Sequence, residues 1–299
     1  MLALFSRVPA VVWTGIFAFV LTVSAGANWT VLLISNVATS PAIPWAVAVM
    51  ALLLWLMWQY LGGTWRPKST SEARRLYLRA RPLPGKVFAL ALVAGLLSIV
   101  ALVGFWIVLH QLVKMPARVL PNFSGYPLFT IVLVLVMSSL VSSLAEEAGF
   151  RGYFQVALER NLRGPIAIVI MSLVIAPAHG LTQGFVWPIL LWYFCADVMF
   201  GTIAFLTRSI LPGALVHSIG LLIFFTLVWP YDIQRQLVWD TGANAGFWIN
   251  VAQTIIFSIL AFLAFLWLAN VTKDMHTVGV NTKLSHHSSS SVGPGLDSR

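Results

Sequence analysis

Eight apolar runs, at roughly 9–27, 41–63, 87–113, 126–148, 165–182, 186–206, 211–230 and 247–271, divide this chain. About 20 apolar residues are enough for a helix to cross the hydrocarbon core of a bilayer. The run 165–182 is the shortest and is broken near its end by Pro177. Charged residues make up only 9% of the sequence, against about 25% in soluble domains. In lipid every backbone polar group must be satisfied within the protein, which helices do segment by segment. The fold class that follows is all-α, a polytopic membrane bundle of about eight transmembrane helices.

Lys and Arg set the orientation expected of that bundle, because cytoplasmic connections carry an excess of them. The connection 64–86 holds Arg66, Lys68, Arg74, Arg75, Arg79, Arg81 and Lys86 against a single acid, Glu72. Placing it in the cytoplasm puts Arg7, Arg160, Arg163, Arg208, Lys273 and Lys283 on the same side, with Lys114, Arg118 and Arg235 opposite. Both termini are then cytoplasmic, and the setting is a plasma or inner membrane. The net charge of +9 has these juxtamembrane sources, so it marks an anionic leaflet and not a nucleic-acid partner. Within the connection, Thr70 to Arg81 reads either as an interfacial amphipathic helix or as a plain basic loop. Arg7, an apolar stretch and Ala25-Gly26-Ala27 also have the form of a cleavable signal peptide, the alternative to a first span. One cysteine, Cys195, leaves no disulfide framework within the chain.

Against this background the stretch Ala145-Glu146-Glu147-Ala148-Gly149-Phe150-Arg151 stands out. Ionisable residues inside a span are costly, and they face a bundle interior or a water-filled cavity. On an α-helix Glu147 and Arg151 are four apart and can pair, while Glu146 points about 100° away from Glu147. Glu147 and Arg151 therefore read as a brace, and Glu146 as a carboxylate left for other work.

Its expected partner comes from a count. The turn Asn161-Leu162-Arg163-Gly164-Pro165 folds the fourth and fifth runs into a hairpin. Glu146 lies 16.5 residues before its midpoint, between Leu162 and Arg163, and His179 lies 16.5 residues after it. The two then sit at one height, subject to any bend at Pro177. His217 is six residues into the seventh run, about 9 Å deep. The expectation is a polar cavity open to the cytoplasm, with carboxylates and two imidazoles. A carboxylate there can act as general base on water while histidine stabilises an oxyanion. Two histidines and a glutamate also suit a zinc ion with an open position. Asp197 either lines the cavity or pairs with Arg151, Ser218 lies at the edge of a span, and His110 reads as interfacial. His-Glu-x-x-His, Gly-x-Gly-Asp and Gly-x-Ser-x-Gly are all absent, which removes three other intramembrane or nucleophilic hydrolase types.

The set Glu146-Glu147-x-x-x-Arg151, then His179, then His217 resembles the CPBP family of intramembrane proteases (CAAX protease and bacteriocin-processing, or Abi), related to the type II CAAX prenyl endopeptidase. Its motifs are Glu-Glu-x-x-x-Arg, Phe-x-x-x-His and His-x-x-x-Asn/Asp. The first is complete here; the second has Ile175 in place of Phe, and the third has Leu221 in place of Asn or Asp. The resemblance runs over about 126–225. It implies that Glu146 activates water, that His179 and His217 complete the site, and that Glu147 and Arg151 hold its geometry. Zinc held by Glu146, His179 and His217 is one implied mechanism and a metal-free glutamate mechanism is the other. Leu221 removes an oxyanion donor or ligand, a role open to Ser218 or Asp197.

The resulting division is N-terminal spans with the basic connection in 1–125, a protease-like core in 126–230, an outer connection and last span in 231–272, and a disordered tail in 273–299. The expected partners are the bilayer and a peptide, protein or prenylated substrate; nucleic acid is not among them. The alternatives to an endopeptidase are a catalytically weak membrane scaffold or maturation factor and a proton-coupled transporter. Against transport, the sequence shows no inverted repeat.

Overall fold

A computed structural model describes residues 9–40, 42–116 and 125–288, and among them every regular element is helical. Arg7, Arg118 and the end of the expected tail, 289–299, lie outside the described residues. Helices α1 (Ala10–Thr39) and α2 (Trp45–Leu61) precede a short amphipathic helix, α3 (Ser71–Leu78), and the long α4 (Gly85–Leu112). Helix α5 (Leu128–Glu146) passes through a π-helical stretch, Glu147–Phe154, into α6 (Gln155–Glu159). After the hairpin turn come α7 (Gly164–Gln183), α8 (Trp187–Thr207) and α9 (Leu211–Ile223). Helix α9 continues as a second π stretch, Phe224–Val228, and a 3₁₀ turn, Trp229–Gln234; α10 (Val238–Thr241) and α11 (Ala245–Ser288) follow. Helix α11 carries on past Lys273, into the segment read as a tail.

Seven of these helical segments are long and apolar enough to cross a membrane. The remaining run, 41–63, became α2, whose 17 residues rise about 26 Å, a little short of the ~30 Å hydrocarbon core. The chain is an integral, multi-pass helical membrane protein. Prolines mark several starts: Pro165, Pro188 and Pro212 stand in the first turns of α7, α8 and α9. There the missing N–H would have no helical acceptor, so it costs nothing. Pro177 does not end α7, which runs on to Gln183.

Across the 161–165 turn Phe150, Phe154 and Leu158 lie against Ile175, Met171 and Ala167 of α7, which is the expected hairpin; α7 also packs on α8, α4 on α8, α9 and α11, and α5 on α9, α1 and α2. The largest apolar core lies where α4, α8 and α9 meet, through Ile99, Leu102, Trp192, Ile203 and Val216. Helix α1 is a packed member of the bundle: Trp29 Nε1 donates to Ser138 Oγ at 2.9 Å, and Ala18 lies against Gly149.

The basic connection is built into one end of the bundle. Arg74 donates to the carbonyls of Tyr60, Trp65 and Pro67. Arg79 pairs with Glu159, which also takes Arg208 at 2.8 Å. Both readings of 70–81 are thereby refined. It is a helix, but two of its arginines are buried and bind protein, because carbonyls left over at the end of α2 and a carboxylate at the end of α6 need donors.

Candidate active site

The π-helical stretch begins immediately after Glu146 and shapes the site. In a π turn the bonds run i→i+5, so successive residues turn less per step than in an α-helix. Arg151, five residues after Glu146, therefore comes within reach of both glutamates, where the α-helical count gives it to Glu147 alone. Both face Arg151: Glu146 Oε2 is 3.9 Å and Glu147 Oε1 3.6 Å from its Nη1. The nearest partner of Arg151 is neither of them but Asp197 of α8, bound through Nη2. Arg151 is fully buried, so three carboxylates surround one guanidinium out of contact with solvent.

Close approach of backbones makes this possible. A Cβ on Gly149 would stand 3.0 Å from Ala18 Cα, and one on Gly213 would stand 2.8 Å from Glu147 Oε2. Small residues at these points let α1 and α9 close on the π turn, as small residues do between membrane helices.

His217 of α9 joins the group. Its Nδ1 is 3.2 Å from Glu147 Oε1 and its Nε2 is 3.9 Å from Glu146 Oε2. A hydrogen bond at one ring nitrogen fixes which nitrogen carries the proton, and so what the other can do. The ring also stacks on Phe200 at 4.4 Å. His179 of α7 lies parallel to Tyr193, ring centres 3.7 Å apart.

Glu146, His179, Asp197 and His217 line one cleft, with empty space of ≈ 470 Å³. The remaining wall is apolar and aromatic, with Trp192, Tyr193, Phe200, Leu221, Phe224 and Trp229 prominent. Glu146 keeps 12% of its side chain exposed, while Glu147 keeps none and does not reach the cleft. The hairpin count thus places Glu146 and His179 in one cavity.

Two substitutes considered for the missing polar residue at 221 are engaged elsewhere. Ser218 Oγ lies 2.6 Å from Ser143 Oγ and also bonds the Ala214 carbonyl. Asp197 lines the cleft but is held by Arg151. His110, in the last turn of α4, is buried beside Asp232, because a carboxylate from the loop after α9 folds back against α4. The sequence reading missed Tyr193 and Phe200. Their signal was there, since Tyr193, Asp197 and Phe200 recur at i, i+4 and i+7 on one face of α8.

The donor set does not fit a zinc ion as it stands. Among the described residues no three His, Cys, Asp or Glu side chains converge as ligands. The guanidinium of Arg151 sits where the three carboxylates meet, a cation competing for the charge a metal would need.

Fold and site together define a helical membrane protein with an acid–histidine cleft sunk in its bundle. Residues 127–223 match the family described as type II CAAX prenyl endopeptidase Rce1-like. That segment is about a third of the chain; it runs from α5 through α9, carries Glu146, His179, Asp197 and His217, and is similar to that endopeptidase family. Comparison with curated proteins and with solved structures gave no match.

Proposed function

We propose that the protein is an intramembrane endopeptidase in which Glu146 activates the attacking water without a metal. The observation that carries this reading is the difference between neighbouring carboxylates: Glu146 opens on the cleft beside His217 Nε2, and Glu147 is sealed behind it. Glu146 takes a proton from water as the oxygen attacks the scissile carbonyl carbon. His217 and His179, on the cleft wall, stabilise the oxyanion that forms. Collapse of the tetrahedral adduct breaks the C–N bond, and the proton held by Glu146 passes to the leaving amine. Glu147 orients the His217 ring through Nδ1, and Arg151 with Asp197 holds the two glutamates in place.

The substrate is a membrane-associated or prenylated protein, or a peptide, that presents apolar groups to the aromatic wall. Purified protein, incubated with a panel of prenylated and unprenylated peptides, is expected to release products identified by mass spectrometry. Turnover is expected to survive a chelator and to fall by at least about 10³ in Glu146→Gln, within the 10²–10⁴ that a general base contributes. Loss of activity to chelator with recovery on added zinc would overturn the metal-free mechanism.

A further inference from the structure

A second buried ionisable cluster lies beyond the cleft, and the proposed chemistry does not use it. Asp232, in the 3₁₀ turn after α9, is 4% exposed. Its carboxylate accepts hydrogen bonds from Trp106 Nε1 at 3.0 Å and Arg235 Nε at 2.9 Å. His110 Nε2 stands 3.5 Å away, and Arg235 Nη2 reaches back to the Val228 carbonyl at 3.3 Å. A buried carboxylate is costly unless donors surround it, and here α4 and the loop both supply them.

What this cluster grips is the wall of the cleft. Trp229, the first residue of the same 3₁₀ turn, lines the cleft and packs on Phe224 and Phe225 at 5.5 and 5.1 Å. On the other side Trp106, whose indole N–H binds Asp232, meets Trp192 at 5.1 Å and Phe224 at 6.0 Å, edge to face. Trp192 and Phe224 both line the cleft. Between the two grips runs the π stretch Phe224–Val228. Such stretches are rare and short and occur frequently at functional sites, and the geometry of this one depends on what holds its ends.

We infer that Asp232 is a positioning residue for the cleft: by tying the Trp229–Gln234 turn to Trp106, it sets the depth of the apolar wall and hence the size of the substrate side chain accepted. This rests on the endopeptidase reading for its substrate part only. The wall itself is testable without catalysis.

Two arms separate these. In full-length protein with Cys195→Ser, Leu221→Cys places one thiol on the cleft wall. Its modification by N-ethylmaleimide is expected to quicken about tenfold when Asp232→Ala or Trp106→Phe is added, since local opening governs access. Trp106→Phe keeps an aromatic side chain in the core but loses the indole N–H that binds Asp232, so it serves if Asp232→Ala fails to fold. In the second arm, peptides cleaved by the wild type are varied from Val to Trp beside the cut. Asp232→Ala is expected to raise KM for the Val peptide about tenfold with kcat nearly unchanged, and to raise it less for the Trp peptide, the pattern of lost ground-state binding. Asp232→Asn, which keeps an acceptor for Trp106, falls between. Unchanged labelling in both variants, whatever happens to melting temperature, overturns the inference, as does a fall in kcat at constant KM. If no peptide is ever cleaved, the protease reading fails and the labelling arm still decides the wall.

Discussion

Arg151 is the residue on which the neighbouring side chains depend. It is fully buried and touches Glu146, Glu147 and Asp197, so it neutralises part of a charge that the bilayer would otherwise exclude. The glycine facing this group is as constrained as the charges. Gly213→Ala would set a Cβ 2.8 Å from Glu147 Oε2, and the overpacking is expected to cost about 1–3 kcal/mol. Thermal unfolding in mixed micelles measures it; an unchanged midpoint would mean that α9 has room to move. Leu221 makes the opposite kind of statement. It lines the cleft where the resemblance calls for Asn or Asp, and neither Ser218 nor Asp197 is free to replace it. Leu221→Asn is therefore expected to raise kcat, by about tenfold, a part of the 10²–10³ that one oxyanion donor contributes elsewhere. A rate at or below that of the wild type would contradict the view that an oxyanion donor is missing there.

Among the elements, the π turn after α5 explains what could and could not be read in advance. The pairing of Glu147 with Arg151 and the common cavity of Glu146 and His179 followed from helical arithmetic, because α7 keeps its course through Pro177. The arithmetic failed locally at Glu146, which shares Arg151 with Glu147, since nothing in Glu-Glu-Ala-Gly-Phe-Arg announces i→i+5 bonding. Buried arginines were equally hidden: a basic connection looks alike whether its side chains meet lipid headgroups or carbonyls. Glu159 shows the difference, holding Arg79, Arg208 and Gln155 together where three connections meet. Its side chain is 7% exposed, so Glu159→Ala strands buried Arg79 and is expected to cost about 3 kcal/mol. Chemical denaturation in micelles reads this directly, and a loss under about 1 kcal/mol would return the pair to the surface class.

For the molecule as a whole, the apolar runs were legible because lipid allows so few architectures. The ion pairs now bring the connection 64–86, the end of α6 and the end of α8 to one end of the bundle. We propose that this end is cytoplasmic and that α2 crosses the membrane despite its length, which puts both termini on that side. Reporter fusions at the two termini are expected to give the same cytoplasmic signal. Opposite signals would mean that α2 enters and leaves on one face, as a helix of 17 residues can when it lies among its neighbours.

In the mechanism proposed above, one of two adjacent carboxylates performs the chemistry and the other supports it. This division is tested by the turnover of Glu146→Gln and Glu147→Gln on one cleaved peptide, at matched folded protein. A loss of at least about 10³ is expected for Glu146→Gln and of only about tenfold for Glu147→Gln, which disturbs His217 but leaves the base. Retained cleavage in folded Glu146→Gln, or the reverse order of the two losses, would contradict it.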